Sequence, residues 1–442
     1  MKAITKKDIN QLNDSFSKKP VQKALSRVLV KNKLADIFDI QEQSLSNQFK
    51  FSNEIKTLPV TNQNTSGRCW IFAGLNALRE IIANKYDLKT FELSQNYTAF
   101  WDKFEKINYF IEIMDDFLTV HYDDRTLQHI LKLGIQDGGQ WDMFVSLIEK
   151  YGVVPKEAMI ETTSSSGTRF MNQLINVKLR KYAAEARALT TSKKANDIKK
   201  LKEKTLDELY TLLVTNFGNP PQAFDFEYVS KDKYNVVKDL TPQSFYKDHV
   251  GDVLKDYVSI INSPTKDKPF MKTYTVEYLG NVIDGRNIKY INLEMKDLKK
   301  LVLKQMLDNE VVWFGSDVSR FGDRTKGIWD NQQFDYEEML GMSFDMSKED
   351  QLYYAQGAMN HAMLLTAVHL DQTSPKRWKI ENSWGEKAGE KGYFLASDAW
   401  FDCFVYQAVI NKKYLSKEQL DAWKQEPIIL KPWDPMGALA NN

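Results

Sequence analysis

The chain has 442 residues, of which 43% are hydrophobic and 12% aromatic, enough for a large core in one large domain or two to three smaller ones, and this excludes disorder over most of its length. Sixty basic and 59 acidic residues leave a net charge of +1, which argues against whole-surface attraction to nucleic acid or to anionic membranes. With two cysteines, Cys69 and Cys403, no apolar leader and no membrane-length apolar run, the expectation is a reducing, cytoplasmic setting without a disulfide framework.

Residues 1–50 read as helices with polar joints, the first capped by Thr5 ahead of Ile9, Leu12 and Phe16. Residues 51–66 read as extended, with Pro59 leading into the turn Ser66-Gly67-Arg68. Cys69 then opens a helix whose apolar residues Leu75, Leu78, Ile81 and Ile82 recur at helical spacing, ending near Asp87. The first turn of a helix has unpaired N–H groups and a partial positive charge, so a thiol there ionises more readily, and the thiolate is the nucleophile. Gln63, on the approach to the same turn, supplies a side-chain amide able to donate to an oxyanion beside the Cys69 N–H. Ser94 caps an aromatic-rich helix over 96–110. Gly138 and Gly139, in Gln136-Asp137-Gly138-Gly139-Gln140-Trp141, allow positive φ and close approach of a ligand to the backbone. A helix carrying Phe144, Leu147 and Ile148 follows and stops at Tyr151-Gly152-Val153-Val154-Pro155.

Residues 156–290 differ in character. From Arg169 to Phe217 the pattern is long, charged and helical, with Lys193-Lys194 inside it, and interleaved acids mark a solvated face. Strand-like pieces at 224–228 and 272–278 and a helix at 242–249 complete a block inserted between two halves of a core. From 291 a helix with Leu298, Leu301, Val302 and Met306 leads to the apolar run Val311 to Gly315. Strands are expected at 362–370, 377–381 and 393–395, an antiparallel sheet or half-barrel. Pro427, Pro432 and Pro435 make 426–442 an extended arm.

Thiol peptidase chemistry needs a thiolate, an imidazole beside it and a group orienting that imidazole. His361 begins one strand and Asn382 follows another 21 residues on, a spacing that suits neighbouring antiparallel strands with both side chains at one edge. An Asn amide oxygen there accepts the Nδ1–H of the ring, and Trp384 shields that bond from water. Among His121, His129, His249 and His369, only His369 competes by position, and none has a neighbouring Asn-Ser-Trp-Gly. No pattern of metal ligands is present, so neither metal nor cofactor is expected.

Ser66-Gly67-Arg68-Cys69-Trp70 resembles the papain-type cysteine peptidase signature, with Ser66 in place of its first Cys. His361 lies 292 residues after Cys69 (361 − 69), against about 130–150 in that signature, so an insertion of about 150 residues is required. The sequence closely resembles the bleomycin hydrolase and bacterial aminopeptidase C family over nearly its whole length. Stretches carrying this are Gln63 to Trp70, Leu93-Ser94-Gln95, Asp137 to Trp141, Tyr151 to Pro155, Val312 to Gly315, Asn360 to Met363, Glu381 to Gly385 and Trp433 to Ala440. The resemblance implies an α+β papain-like fold in four parts: an N-terminal segment and helical half (1–155), an inserted mainly helical oligomerisation region (156–290), a β half (291–425) and a C-terminal arm in the cleft (426–442). It implies Cys69 as nucleophile, His361 as general base and acid, Asn382 as orienting residue and Gln63 in the oxyanion hole. Gly138, Gly139, Trp384 and Ala440 would contact peptide substrates. The implied assembly is a homohexamer with its active sites on an inner cavity, without membrane or nucleic acid. The arm's terminal carboxylate would hold the substrate's α-amino group, making an aminopeptidase. The alternative is an oligopeptide endopeptidase of the same family. Asn441-Asn442 extend past the family's Ala, here Ala440, and stand to fill the first subsite or change the specificity.

Overall fold

A computed structural model describes residues 1–191 and 195–440; Lys193-Lys194 and Asn441-Asn442 lie outside them. The fold is α+β. Its helical side is built on α1 (Cys69–Tyr86), α2 (Gln95–Ile113) and α3 (Trp141–Tyr151), extended by the long pair α4 (Arg169–Thr191) and α5 (Ala195–Phe217). Helix α1 buries twelve residues from Cys69 to Ala83 on nearly all sides, as a core helix must when its sequence has little polar surface to offer water. Full burial of each large apolar side chain is worth about 1.5–3 kcal/mol, so α1 is pinned at the centre of the molecule. Asp87 ends it in the left-handed conformation. Ser94 caps α2 by accepting from the Tyr97 N–H, as its position predicts.

The β side is one large sheet. Its main strands in chain order are β1 (Tyr257–Ile261), β2 (Thr273–Val276), β3 (Tyr290–Asn292), β4 (Val312–Ser316), β5 (His361–Asp371), β6 (Ser374–Glu381), β7 (Tyr393–Ser397), β8 (Val405–Asn411) and β9 (Ile428–Leu430). They lie in the order β9-β2-β3-β1-β8-β4-β5-β6-β7, and short two-residue strands prolong the β7 edge. The expected strands near the Cys/His/Asn set are present. The sheet also draws β1, β2 and β3 from residues 257–292, which the sequence pattern groups mostly with the inserted helical block. Strand β2 lies within the strand-like stretch expected at 272–278, whereas β1 and β3 are three to five residues long and buried on both faces, so they show no alternation to separate them from loop. A separate hairpin pairs Phe224–Ser230 with Lys233–Leu240.

The arm is less uniform than its prolines suggest. Residues 428–430 form β9, parallel to β2, and Pro435–Gly437 make a single 3-10 turn. No helix among the described residues is long and apolar enough to cross a membrane.

Candidate active site

Register explains how two distant residues meet. Strands β5 and β6 are antiparallel with Leu364 opposite Glu381. Continued past the strand ends, that register sets Asn382 across from Met363 and Trp384 across from His361. The side chains follow suit. The His361 Nε2 lies 2.8 Å from the Asn382 Oδ1, and both residues are buried. The Trp384 indole stacks on the imidazole with ring centroids 4.8 Å apart and covers the pair. The nitrogen facing Asn382 is thus Nε2, not the Nδ1 expected from sequence. Which ring nitrogen turns to the amide depends on the rotamer at the strand end, and residue spacing carries no information about it.

Asn382 Oδ1 also accepts from the Ser383 N–H at 2.7 Å, which fixes the amide plane. The loop carrying Asn382 is stitched to the segment before α1. Gln63 N–H donates to the Ser383 carbonyl at 2.8 Å, and Gly385 N–H to that of Thr61 at 3.1 Å. The Gln63 side chain is clamped at both ends: Oε1 accepts from the Ser383 hydroxyl at 2.6 Å, and Nε2 donates to the Ser66 carbonyl at 2.7 Å. An amide nitrogen carries two hydrogens, so one donor is spent on posture. Cys69 is the first residue of α1, fully buried, on a helix that packs against β5.

A carboxylate that the sequence reading leaves without a role holds the turn before Cys69. Asp137 accepts from Gly67 N–H and Asn172 Nδ2 at 2.9 Å each and from the Thr168 hydroxyl, and pairs with Lys103 at 2.5 Å. Burial alone would push its carboxyl up; the Lys103 ammonium and these hydrogen bonds outweigh that and hold it far below the usual range. The Asp137 carbonyl takes the Trp70 indole N–H at 2.7 Å. Lys106 Nζ, paired with Asp102 at 2.7 Å, donates to the Gly138 carbonyl at 2.6 Å. Two buried lysines therefore hold the glycine loop against the turn before Cys69. In sequence they stand among Asp102 and Glu105 in the aromatic-rich helix, with nothing local to mark them as buried. Arg68, equally buried, makes a two-pronged contact with Glu161 at 3.0 and 3.1 Å.

Gly138 and Gly139 do not owe their identity to positive φ, since neither adopts it. At Gly139 the requirement is close approach: a Cβ would lie 2.5 Å from the Trp70 ring. The backbone so exposed pairs with the arm. Gly139 and Ala440 form an antiparallel bridge, and Gln140 Nε2 donates to the Ala438 carbonyl at 2.5 Å. Ala440 is fully buried. Upstream, Asp434 pairs with the buried Lys268 at 2.9 Å, and the Arg125 guanidinium stacks 3.8 Å from the Trp433 centroid. Behind the arm is an apolar cavity of about 470 Å³, lined by Tyr109, Phe110, Ile130, Tyr278 and Leu439 among others.

Chemically, the arrangement holds a cysteine at the N-terminus of a helix packed against the strand of an oriented imidazole, beside a clamped amide donor, and Ala440 is bridged to the glycine loop. Among the described residues no group of three or more His, Cys, Asp or Glu side chains could hold a metal ion.

Comparisons with known proteins identify the family. A model of the Peptidase C1-like family matches residues 3–437. The chain is 46% identical over 438 residues to an aminopeptidase C of Listeria monocytogenes serovar 1/2a, covering 99% of both chains. It is 41% identical over 392 residues to a bleomycin hydrolase of Gallus gallus, covering 86% of each. The crystal structure of PepW from Lactobacillus rhamnosis HN001 superposes with a TM-score of 0.97 at 48% identity, over 99% of each chain.

Proposed function

The chain belongs to the Peptidase C1-like family, and from that premise we propose that the cleft between α1 and β5 is where it works as a cysteine aminopeptidase, releasing N-terminal residues from peptides. Cys69 is the nucleophile. His361 donates from Nε2 to Asn382 Oδ1, which leaves Nδ1 to take the thiol proton. The thiolate attacks the carbonyl of the first peptide bond, and the resulting oxyanion is met by the Cys69 N–H and the Gln63 amide. The protonated Nδ1 then gives its proton to the departing amine, leaving a thioester on Cys69. Water, deprotonated by the same nitrogen, attacks the thioester and frees the N-terminal residue.

The observation that carries the exopeptidase reading is the bridge between Gly139 and Ala440. It fills the side of the cleft that an endopeptidase would offer to residues ahead of the scissile bond. Gly138, Gly139, Trp384 and Ala440 frame the remaining space for one substrate residue and its ammonium. The test compares hydrolysis of an aminoacyl-coumarin with that of its N-acetylated form. The unblocked substrate alone should be cleaved, and Cys69→Ala should abolish its turnover with the fold intact. Equal cleavage of the blocked substrate sinks the exopeptidase reading.

The same family reading extends to a homohexamer in a reducing, cytoplasmic setting. Supporting self-assembly, Phe170, Leu174 and Val177 form an exposed apolar stripe on α4, and the helix Lys6–Ser17 buries none of its own residues. Light scattering should give six times the 51.3 kDa chain mass; a monomer would overturn it.

A further inference from the structure

The side of the cleft opposite the arm holds a cationic group that the chemistry above does not use. A polar cavity of about 420 Å³ is lined there by Gln63, Gly67, Val318, Trp329, Trp384 and Arg324. Gln63 and Trp384 belong to the catalytic surroundings, so the cavity begins where the leaving amine departs. The Arg324 guanidinium lies 4.2 Å from the centroid of the Trp384 ring, the ring whose centroid is 4.8 Å from that of His361. Guanidinium and imidazole are therefore separated by at most these two distances laid end to end. That is the reach of two to three residues of extended chain at about 3.3–3.6 Å each.

Arg324 is exposed and makes no ion pair among the described residues. Its neighbour Asp323 is engaged elsewhere, accepting from the N–H groups of Thr325 and Lys326 at 2.8 and 2.9 Å and lying 3.8 Å from the Lys326 ammonium. A guanidinium lying over an indole keeps N–H groups that can meet a carboxylate with two parallel hydrogen bonds.

We infer that Arg324 is a carboxylate subsite for the leaving peptide, and that the substrates it selects are dipeptides and tripeptides whose own C-terminal carboxylate reaches it. The inference rests on the reading that Cys69 and His361 perform the hydrolysis. With the arm set against the substrate's ammonium, the cleft would then measure a short peptide from both ends. Longer peptides carry their terminal charge beyond the guanidinium and gain nothing from it.

The experiment measures kcat/KM for Ala-Leu, Ala-Leu-amide and Ala-Glu-amide with wild type, Arg324→Gln and Arg324→Lys. In wild type the free acid should be preferred over Ala-Leu-amide by about tenfold, the scale of one solvent-exposed charge-assisted contact. That ratio should fall to about one in Arg324→Gln, survive in part in Arg324→Lys, and shrink with added salt. A wild-type ratio near one, or a ratio unchanged by Arg324→Gln, overturns the subsite while leaving the aminopeptidase reading in place. A preference confined to Ala-Glu-amide means that Arg324 reads an acidic side chain and overturns the selection by length. Failure to cleave any of the three overturns the aminopeptidase reading and this inference with it.

Discussion

The contact between His361 Nε2 and Asn382 Oδ1 assigns each nitrogen of one ring a separate task. Asn382→Ala removes the acceptor that sets the ring's angle but leaves the basic nitrogen. It should lower kcat by roughly 10²-fold with little change in KM, because orientation is needed in the transition state more than in the bound complex. An unchanged kcat would remove Asn382 from the mechanism. A buried carboxylate elsewhere makes a prediction about stability. Asp142, in the first turn of α3, is pushed by burial up to about 6 although it accepts from the Lys289 N–H at 3.0 Å. Its folded form holds a proton that the unfolded chain has already lost. The stability it lends is full below about pH 4 and lost as pH rises through about 6. Asp142→Asn keeps an acceptor without the titration. Between pH 4 and 7 wild type should lose about 2 kcal/mol more than this variant in urea unfolding. Parallel pH curves would show that Asp142 does not titrate in this window.

Between elements, helix α1, which opens with Cys69, and strand β6, which ends just before Asn382, are joined by a buried ionic tie. Glu381, the last residue of β6, takes the Arg79 guanidinium at 3.0 Å and the Asn76 amide at 2.9 Å, both from α1. Burial pushes Glu381 up to about 7 despite Arg79. Arg79 also donates to the Leu58 carbonyl at 3.1 Å and touches Glu80, so its loss strands two carboxylates at once. Arg79→Met keeps the bulk and removes the charge. It should destabilise the protein by about 3 kcal/mol and reduce kcat, since the tie ends one residue before Asn382. A variant with wild-type melting and turnover would mean that packing alone sets the distance between helix and strand. None of this tie was legible in the sequence, because Arg79 and Glu381 are over 300 positions apart and each looks like an ordinary surface charge. The helix at Cys69, the strands flanking His361 and Asn382, and the caps at Thr5 and Ser94 were legible, since apolar periodicity and local hydrogen bonding determine them. Strand β2 falls within the strand-like stretch read at 272–278, but β1 and β3 were not legible, being short, buried on both faces and, for β1, paired with a strand far along the chain. For the same reason Asp137 could be quoted within a motif without its task being visible.

For the molecule as a whole, the proposed exopeptidase specificity rests on a segment that is chemically inert. Deleting residues 436–442 should raise cleavage of an N-blocked fluorogenic peptide and lower the preference for unblocked substrates, turning an exopeptidase into an endopeptidase. If both activities fall together, the arm serves folding rather than selection. Removing only Asn441 and Asn442 should preserve or improve aminopeptidase activity, because the carboxylate then falls on Ala440. The sheet order adds a consequence for how the protein is made. Strand β8, residues 405–411, sits between β1 and β4 in the interior of the sheet. A ribosome reaches it only after the helical side and strands β1 to β7, so the sheet beside Cys69 cannot be completed before then. At about 5–20 residues per second, the remaining stretch to Ala440 follows within a few seconds. The residues that bridge to Gly139 are therefore made within seconds of the strand that completes the sheet, which leaves little time in which the cleft stands without them.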